Sequence, residues 1–312
     1  MIRGRVIISK LSEKINIKES VSSSHWNKYH ENFRYELNSL KGVQGFGHLN
    51  KNYGFISDYI HKFFQKKYRK IASQNLLFKQ IDYSAVNITK IQKRANNLDV
   101  LRQTLTIDFI NQKIDFKKIN KIVVIGDGFG TMTTLLTENN FSKQIFLVNL
   151  RKTLLVDLVY IKMVIGDKRF DEEIVLIDDI KCLSKIDNKH KIIALEAENY
   201  NILSFIEKDL VINIASFQEM DLFVIKNYFE YLYNQKNKSF YLYLCNREEK
   251  FLPDGSLIKF EDYPFNPKDS IIIDELCPWH QDFYTFKPPF KRVYDGPARH
   301  QLRKVNNNIK NE

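Results

Sequence analysis

Cysteine is scarce in this chain. Cys182, Cys245 and Cys277 are the only three, and their odd number and wide spacing exclude both a disulfide framework and a zinc-knuckle pattern. No stretch approaches the roughly 18 apolar residues of a membrane-spanning helix. The opening MIRGRVIISKLSEKI holds only a short apolar run, too short for the core of a secretion signal. Tryptophan occurs twice, and glycine and proline number only 11 and 7 in 312 residues. These absences predict a soluble, cytoplasmic protein in a reducing compartment, with neither repeats nor low-complexity segments.

Hydrophobic residues make up 44% of the chain and charged residues 27%, enough apolar surface for a sizeable core. The formal net charge is +11. A basic balance points to acidic partners, but the lysines are scattered, so nucleic acid is not an expected partner. One cluster stands out: Lys62, Lys66, Lys67, Arg69 and Lys70 on a segment whose Ile56, Tyr59, Ile60, Phe63 and Phe64 recur at helical spacing. This predicts an amphipathic helix with its apolar residues packed inward. The basic face is expected to be solvated, with peripheral membrane contact as the lesser reading.

The pattern divides the chain in three. Residues 1–115 read as a helical region, including a helix after a serine cap at 22–24 and another over 96–114. The segment 41–50 carries three glycines in six residues and reads as a loop. From 116 to 250 short β-branched runs alternate with helical segments: NKIVVIG, TMTTLLTENN, KQIFLVNL, RKTLLVDLVYIKMVIG, EEIVLIDD, KIIALEAENY, KDLVINIASFQEM, MDLFVIKNYFEYLYNQ and KSFYLYLCNRE. That alternation predicts an α/β fold, a Rossmann-like, doubly wound and mostly parallel sheet with helices on both faces. Residues 251–312 begin with a hairpin at Asp254-Gly255. An aromatic, irregular extension follows, expected to close the active site; four of the seven prolines lie between 278 and 297.

The most informative stretch is VVIGDGFGTMTTLL, a strand, a glycine turn and a helix. Glycines there permit left-handed backbone and close approach of a ligand. Gly126, Gly128 and Gly130 follow G-x-G-x-G, not the G-x-G-x-x-G that dinucleotide enzymes place before a pyrophosphate. The shorter spacing is nearer to that of enzymes that use S-adenosylmethionine (SAM). The second strand ends in Asn149, where a carboxylate for ribose hydroxyls is usual; Asp157 lies within the following helix and is less well placed.

Together with DLVINIASFQEM, this stretch resembles the class I SAM-dependent methyltransferases. With YLYLCNREEKFLPDGSLIKFEDYPF and IDELCPWHQDFYTFKPPFKRVYDGPARHQL, it resembles the bacterial sugar O-methyltransferase family over about residues 95–303. The resemblance implies SAM as cofactor and methyl transfer to a hydroxyl of a sugar or of a nucleotide- or lipid-linked sugar, in surface polysaccharide or glycolipid synthesis. Gly126, Asp127, Gly128, Gly130, Asn149, Glu196, Ala197 and Asn213 are expected around the cofactor.

Methyl transfer to a hydroxyl needs a group that takes its proton. Glu219, just past the strand ending in NIAS, and His280, in CPWHQDFY, are the catalytic candidates; His300 is a weaker one. Ser216, Gln218, Arg247 and Trp279 are expected to bind the acceptor, Trp279 as an apolar platform and Arg247 against a phosphate. Asp274, Glu275, His280 and Asp282 are dense but lack a metal-ligand spacing, so no metal is expected. Two rivals remain open: an NAD-type nucleotide-sugar oxidoreductase or epimerase, and a non-catalytic binding protein on the same scaffold.

Overall fold

Successive strand residues point to opposite faces of a sheet, and this chain fills both faces with apolar side chains. The computed structural model describes residues 1–46, 54–234 and 239–306. The chain begins with strand β1 (Ile2–Arg3) and helices α1 (Val6–Glu13) and α2 (Ser24–Tyr29). The hairpin β2 (Arg34–Glu36) and β3 (Ser39–Lys41) follows, then α3 (Phe55–Arg69), α4 (Leu76–Ile91) and α5 (Leu98–Lys113). The alternating region supplies β4 (Lys121–Ile125), α6 (Thr131–Glu138), β5 (Gln144–Asn149), α7 (Arg151–Glu173), β6 (Ile174–Ile177) and β7 (Ile192–Glu196). It ends with β8 (Leu210–Ile214), α8 (Leu222–Tyr233) and β9 (Phe240–Arg247). The last part holds the hairpin β10 (Glu249–Phe251) and β11 (Leu257–Lys259), strand β12 (Ser270–Leu276), the hairpin β13 (Asp282–Tyr284) and β14 (Lys291–Val293), and β15 (Ala298–Val305).

Nine strands form one sheet in the order β1-β6-β7-β5-β4-β8-β9-β15-β12. The six from β6 to β9 are mutually parallel. Such strands are buried on both faces and so read as continuous apolar runs. Ile122, Val124, Leu147 and Ile212 join the core under α1, α4, α5, α6 and α7. Val123, Ile125, Val148 and Val211 join the opposite core with α8 and the 197–205 turn helix. The expected α/β, Rossmann-like, mostly parallel sheet is therefore what the chain forms.

Both flanking regions differ from their sequence reading. The first 115 residues are not only helical, because β1 pairs antiparallel with β6. The final region is not only irregular, because β15 runs antiparallel along the full length of β9 and β12 pairs with β15. Alternating polar residues in ARHQLRKV hid that strand. The helix expected after the serines ends at Tyr29 and gives way to the β2–β3 hairpin. Ser23 stands at its N-cap, but its hydroxyl donates to the Glu219 carbonyl instead of capping the helix. Part of the expected glycine loop, 47–50, lies outside the described residues.

Residues 14–46 cross the carboxyl ends of β5 and β7 as a strap. Ser20 donates from its amide and hydroxyl to Glu198. The Arg151 amide donates to Glu19 at 2.7 Å, and its guanidinium donates to the Ile17 carbonyl at 3.1 Å. Burial pushes the Glu19 carboxyl from its ordinary 4.5 up to about 7, against the opposing pull of Arg151. A carboxyl whose folded pKa is raised binds its proton more tightly in the folded state. Its stabilising contribution is then present below about pH 4.5 and lost as pH rises through about 7. Glu19→Gln is always neutral and keeps an acceptor for Arg151. The variant is expected to flatten this part of the melting-temperature profile and to exceed the wild type at pH 8. Superimposable profiles for the two proteins would reject the assignment.

Candidate functional site

Strand order reverses at β4. The chain leaves β4 toward β5 on one side and returns to its other side with β8. Crevices at such switch points are where doubly wound sheets bind ligands. The loop after β4 is the Gly126–Gly130 turn, and the loop after β8 is Ala215–Ser216. They interlock: a Cβ on Gly126 would stand 2.0 Å from the Ser216 hydroxyl oxygen. A Cβ on Gly130 would stand 2.5 Å from Ile161. The fold itself therefore requires two of the three glycines. Gly128 is different: the only side chain its Cβ would meet is Phe46, at 3.2 Å. Phe129 and Ala215, one in each loop, hold left-handed backbone at φ 61° and 55°. Strain of this kind, of order 1–3 kcal/mol per residue, concentrates at functional sites.

Two buried carboxylates hold the turn from below. Asp127 accepts from the amides of Met132 and Thr133, both at 2.7 Å, and so caps α6. Asp157 accepts from the Gly130 amide at 2.9 Å and from Asn149 Nδ2 at 2.8 Å. Burial pushes Asp127 up to about 6. Burial and the charge of Asp127 push Asp157 well above its ordinary range.

Above the turn lies a cleft of about 1170 Å³. Single-ligand pockets run to roughly 300–1,000 Å³, so two reactants can lie side by side. Gly126, Gly128, Phe129, Ser216 and Gln218 form its floor. The strap contributes His25, Trp26 and Phe46, and α5 with its approach contributes Arg94 and Arg102. The last third of the chain supplies Arg247, Lys250, His280, Phe283 and Tyr294. Burial and the nearby charges of Arg102 and Arg247 push His280 well below its ordinary value, so its ring is neutral at physiological pH. Burial raises the Glu219 carboxyl, but Lys250 at 2.7 Å and His25 at 3.4 Å outweigh it and leave the group lowered and ionised. The Arg247 guanidinium stacks over the Tyr294 ring at 4.8 Å.

The cleft thus gathers Gly126, Asp127, Gly128, Asn149, Ser216, Gln218, Glu219, Arg247 and His280 from the sequence reading. Several side chains among the expected residues have other partners. Both Asp127 oxygens are taken by α6 amides. The Asn149 amide is taken by Asp157 and by the Leu150 amide. Gly130 is pressed against α7 and does not line the cleft. Glu196 pairs with Arg151 at 2.5 Å, and Ala197 lines only a small void beside Trp26. Asn213 is fully buried and joins the Ile125 carbonyl, the Phe217 amide and Asn246. Trp279 packs into the core against Phe109 and His300. The weaker candidate His300 is buried beside Tyr243. Asp274, Glu275 and Asp282 go separately to Arg299, His300 and Lys67. Among the described residues no three His, Cys, Asp or Glu side chains converge on a metal position.

Sequence reasoning missed the strap residues His25, Trp26 and Phe46, along with Arg94, Arg102, Lys250 and Tyr294. A signal existed for Arg102, a lone cation within the apolar repeat of its helix. None existed for Phe46, which reaches the turn across 80 residues of chain. Arg102 joins two parts of the cleft wall. It donates to the carbonyls of Trp279 and Asp282, to Asp99 and to the Tyr294 hydroxyl at 2.6–3.0 Å.

No family model matches the chain, and no curated protein matches it significantly. Among solved structures it is similar to the methyltransferase domain of bacterial CtHen1, at 11% identity over 67% of this chain and 100% of that one, with a TM-score of 0.40. It is also similar to MtNAS in complex with MTA and tNA, at 11% identity over 97% and 96%, with a TM-score of 0.40. TrmN from Thermus thermophilus gives 9% identity over 65% of this chain and 49% of that one, with a TM-score of 0.38. At these TM-scores the likeness carries no assignment of activity, which has to come from the site.

Asp157→Ala is expected to leave the Gly130 amide and the Asn149 amide without acceptors. Each such buried donor costs about 1–3 kcal/mol, so a chemical denaturation midpoint should fall clearly. Asp157→Asn keeps one acceptor and should lose less. Equal stability of all three proteins would show that the turn is held by something else.

Proposed function

We propose that the protein is a SAM-dependent methyltransferase that methylates a hydroxyl of a sugar, free or linked to a nucleotide or lipid. The observation that carries this reading is the bare Gly128 backbone, facing a cleft of about 1170 Å³ at the sheet's switch point with neutral His280 on the same wall system. The G-x-G-x-G spacing and the sequence resemblance over about residues 95–303 support the donor and the acceptor class. The residues present suit the group: Gly128 has no Cβ to fill the space beside it, and Phe46 on the strap lines the cleft next to it.

Bound SAM supplies an electrophilic methyl on a positively charged sulfur. The chain must then hold the acceptor oxygen in line with that methyl and take its proton. His280, kept uncharged by burial and neighbouring guanidinium groups, meets the Cys245 thiol through Nδ1 at 3.5 Å and would take that proton on Nε2. Glu219, ionised against Lys250, accepts hydrogen bonds from sugar hydroxyls and orients His25. Arg247, backed by Tyr294, meets an anionic part of the acceptor. Ser216 and Gln218 complete the acceptor floor.

Calorimetric titration with SAM is expected to give binding in the micromolar range, and NAD⁺ none. Binding of NAD⁺ alone would favour the oxidoreductase reading, and silence with both would favour a cofactor-free binding role. Gly128→Val puts a branched side chain at φ 72° in the proposed donor space and should weaken SAM binding at least about tenfold. Undiminished affinity in a folded variant would place the donor elsewhere. His280→Ala and Glu219→Ala should each lower turnover about tenfold or more while SAM affinity stays. Turnover unchanged in both would remove the acceptor site from this wall.

A further inference from the structure

Helix α3 does not bury the face that its sequence predicts. Ile56, Tyr59 and Phe63 are 75%, 71% and 67% exposed. The inward side is held by polar contacts instead. His61 Nδ1 meets the Tyr284 hydroxyl at 2.6 Å, and Gln65 Nε2 donates to the Asn96 carbonyl at 2.7 Å and to the same hydroxyl at 3.1 Å. Phe64 stacks on Tyr284 at 5.2 Å. Rotating the helix to bury Ile56 and Phe63 would break all of these, so the outward apolar stripe is fixed by the fold.

The stripe continues onto the β13–β14 hairpin. Phe64 lies 5.6 Å from Phe63 and 5.9 Å from Phe290, ring centre to ring centre. Phe290 and, further along β14, Val293 are exposed in turn. Around these apolar groups stand Lys62, Lys66 and Lys70 on α3 and Lys287 and Lys291 on the hairpin, all exposed. The acidic residues of the two segments are Asp58 and Asp282, and Asp282 is already bonded to Lys67 and Tyr68.

We infer that α3 and the β13–β14 hairpin together form a docking surface for an anionic lipid bilayer. Projecting aliphatic and aromatic side chains enter the boundary between headgroups and acyl chains, and the surrounding cations meet the anionic headgroups. A second copy of the chain would bring five cations against five like charges across a two-fold axis, which opposes that occupant. Nucleic acid would satisfy the cations but leave Ile56 and Val293 without a partner. The hairpin that carries Phe290 outward also sets Phe283 and Tyr284 in the cleft wall, so docking would occur beside the cleft mouth. The inference does not depend on the methyl-transfer reading.

Flotation of the full chain with phosphatidylcholine vesicles and with mixed phosphatidylcholine and phosphatidylglycerol vesicles tests it. Association is expected with the mixed vesicles and should weaken with salt. Phe63→Ser with Phe290→Ser, and separately Lys62→Glu with Lys66→Glu, should each reduce it about tenfold or more. All four positions are exposed, and an unchanged melting temperature verifies the fold. The inference is overturned by absence of flotation with the anionic vesicles, or by flotation indifferent to both double variants. It is likewise overturned if the substitutions instead abolish a dimer or RNA binding in a protein that does not float. SAM titration of the same variants should be unaltered, which keeps this result separate from the donor assignment.

Discussion

Everything at the centre of the molecule depends on two carboxylates drawn beneath the glycine turn, largely out of water. Asp127 and Asp157 lie under one glycine turn and take four N–H groups: the amides of Gly130, Met132 and Thr133 and the side chain of Asn149. Burying two acids this close is costly, and their raised affinity for protons expresses that cost. The amides at the start of α6, with the positive end of the helix dipole, offset part of it. In return, the ends of β4 and β5 and the starts of α6 and α7 are tied at one point. With polar groups gathered below, the turn presents bare backbone above.

The cleft over that turn belongs to no single part of the chain. The sheet provides the floor, the strap one wall, and α5 with the carboxyl-terminal hairpins the other. Arg102 connects the last two by placing a fully buried guanidinium among two carbonyls, a carboxylate and a phenol. Its planar set of donors suits a junction of this kind, where a lysine would satisfy fewer acceptors. The same charge lies close enough to hold His280 neutral. One buried cation therefore shapes the wall and, with burial and Arg247, keeps the candidate base neutral.

How much of this was legible in the sequence depended on whether a segment follows a local rule. The parallel strands were legible because burial on both faces demands unbroken apolar runs such as IVVI and IIALE. Hairpin Asp254-Gly255 was legible because its turn needs those residue types. Strand β15 was not, because ARHQLRKV carries five polar residues whose partners, among them Tyr243, Asp274, Glu275, Glu248 and Phe265, lie far along the chain. The inward face of α3 was misread because His61 and Gln65 are buried by hydrogen bonds to Tyr284 and Asn96, which no helical period records. Gly126, Gly128, Ser216, Gln218, Glu219 and Arg247 reach the cleft because they stand at or just past strand ends, and His280 because the turn after β12 brings it there. Trp279 and Asn213 were misplaced because a bulky ring and a strand-end amide serve a core as readily as a ligand. Phe46, Trp26 and Lys250 were missed because only long-range chain closure brings them in.

The neutral end of β5 has a consequence for how a ligand is held. At that level the acidic groups are Glu196, paired with Arg151, and Asp157, eight residues further on beneath the turn. Asn149 donates one N–H to Asp157 and accepts from the Leu150 amide, so the turn fixes its side chain, which carries no charge. What remains beside the turn is the Gly128 backbone and Phe46, which the strap carries. Flat aromatic surface favours a flat ring through stacking and area, at roughly 0.5–1.5 kcal/mol per pair beyond burial. Under the proposed reading, the adenosyl end of the donor is therefore retained chiefly by the strap, whose docking is latched by Glu19 and Arg151.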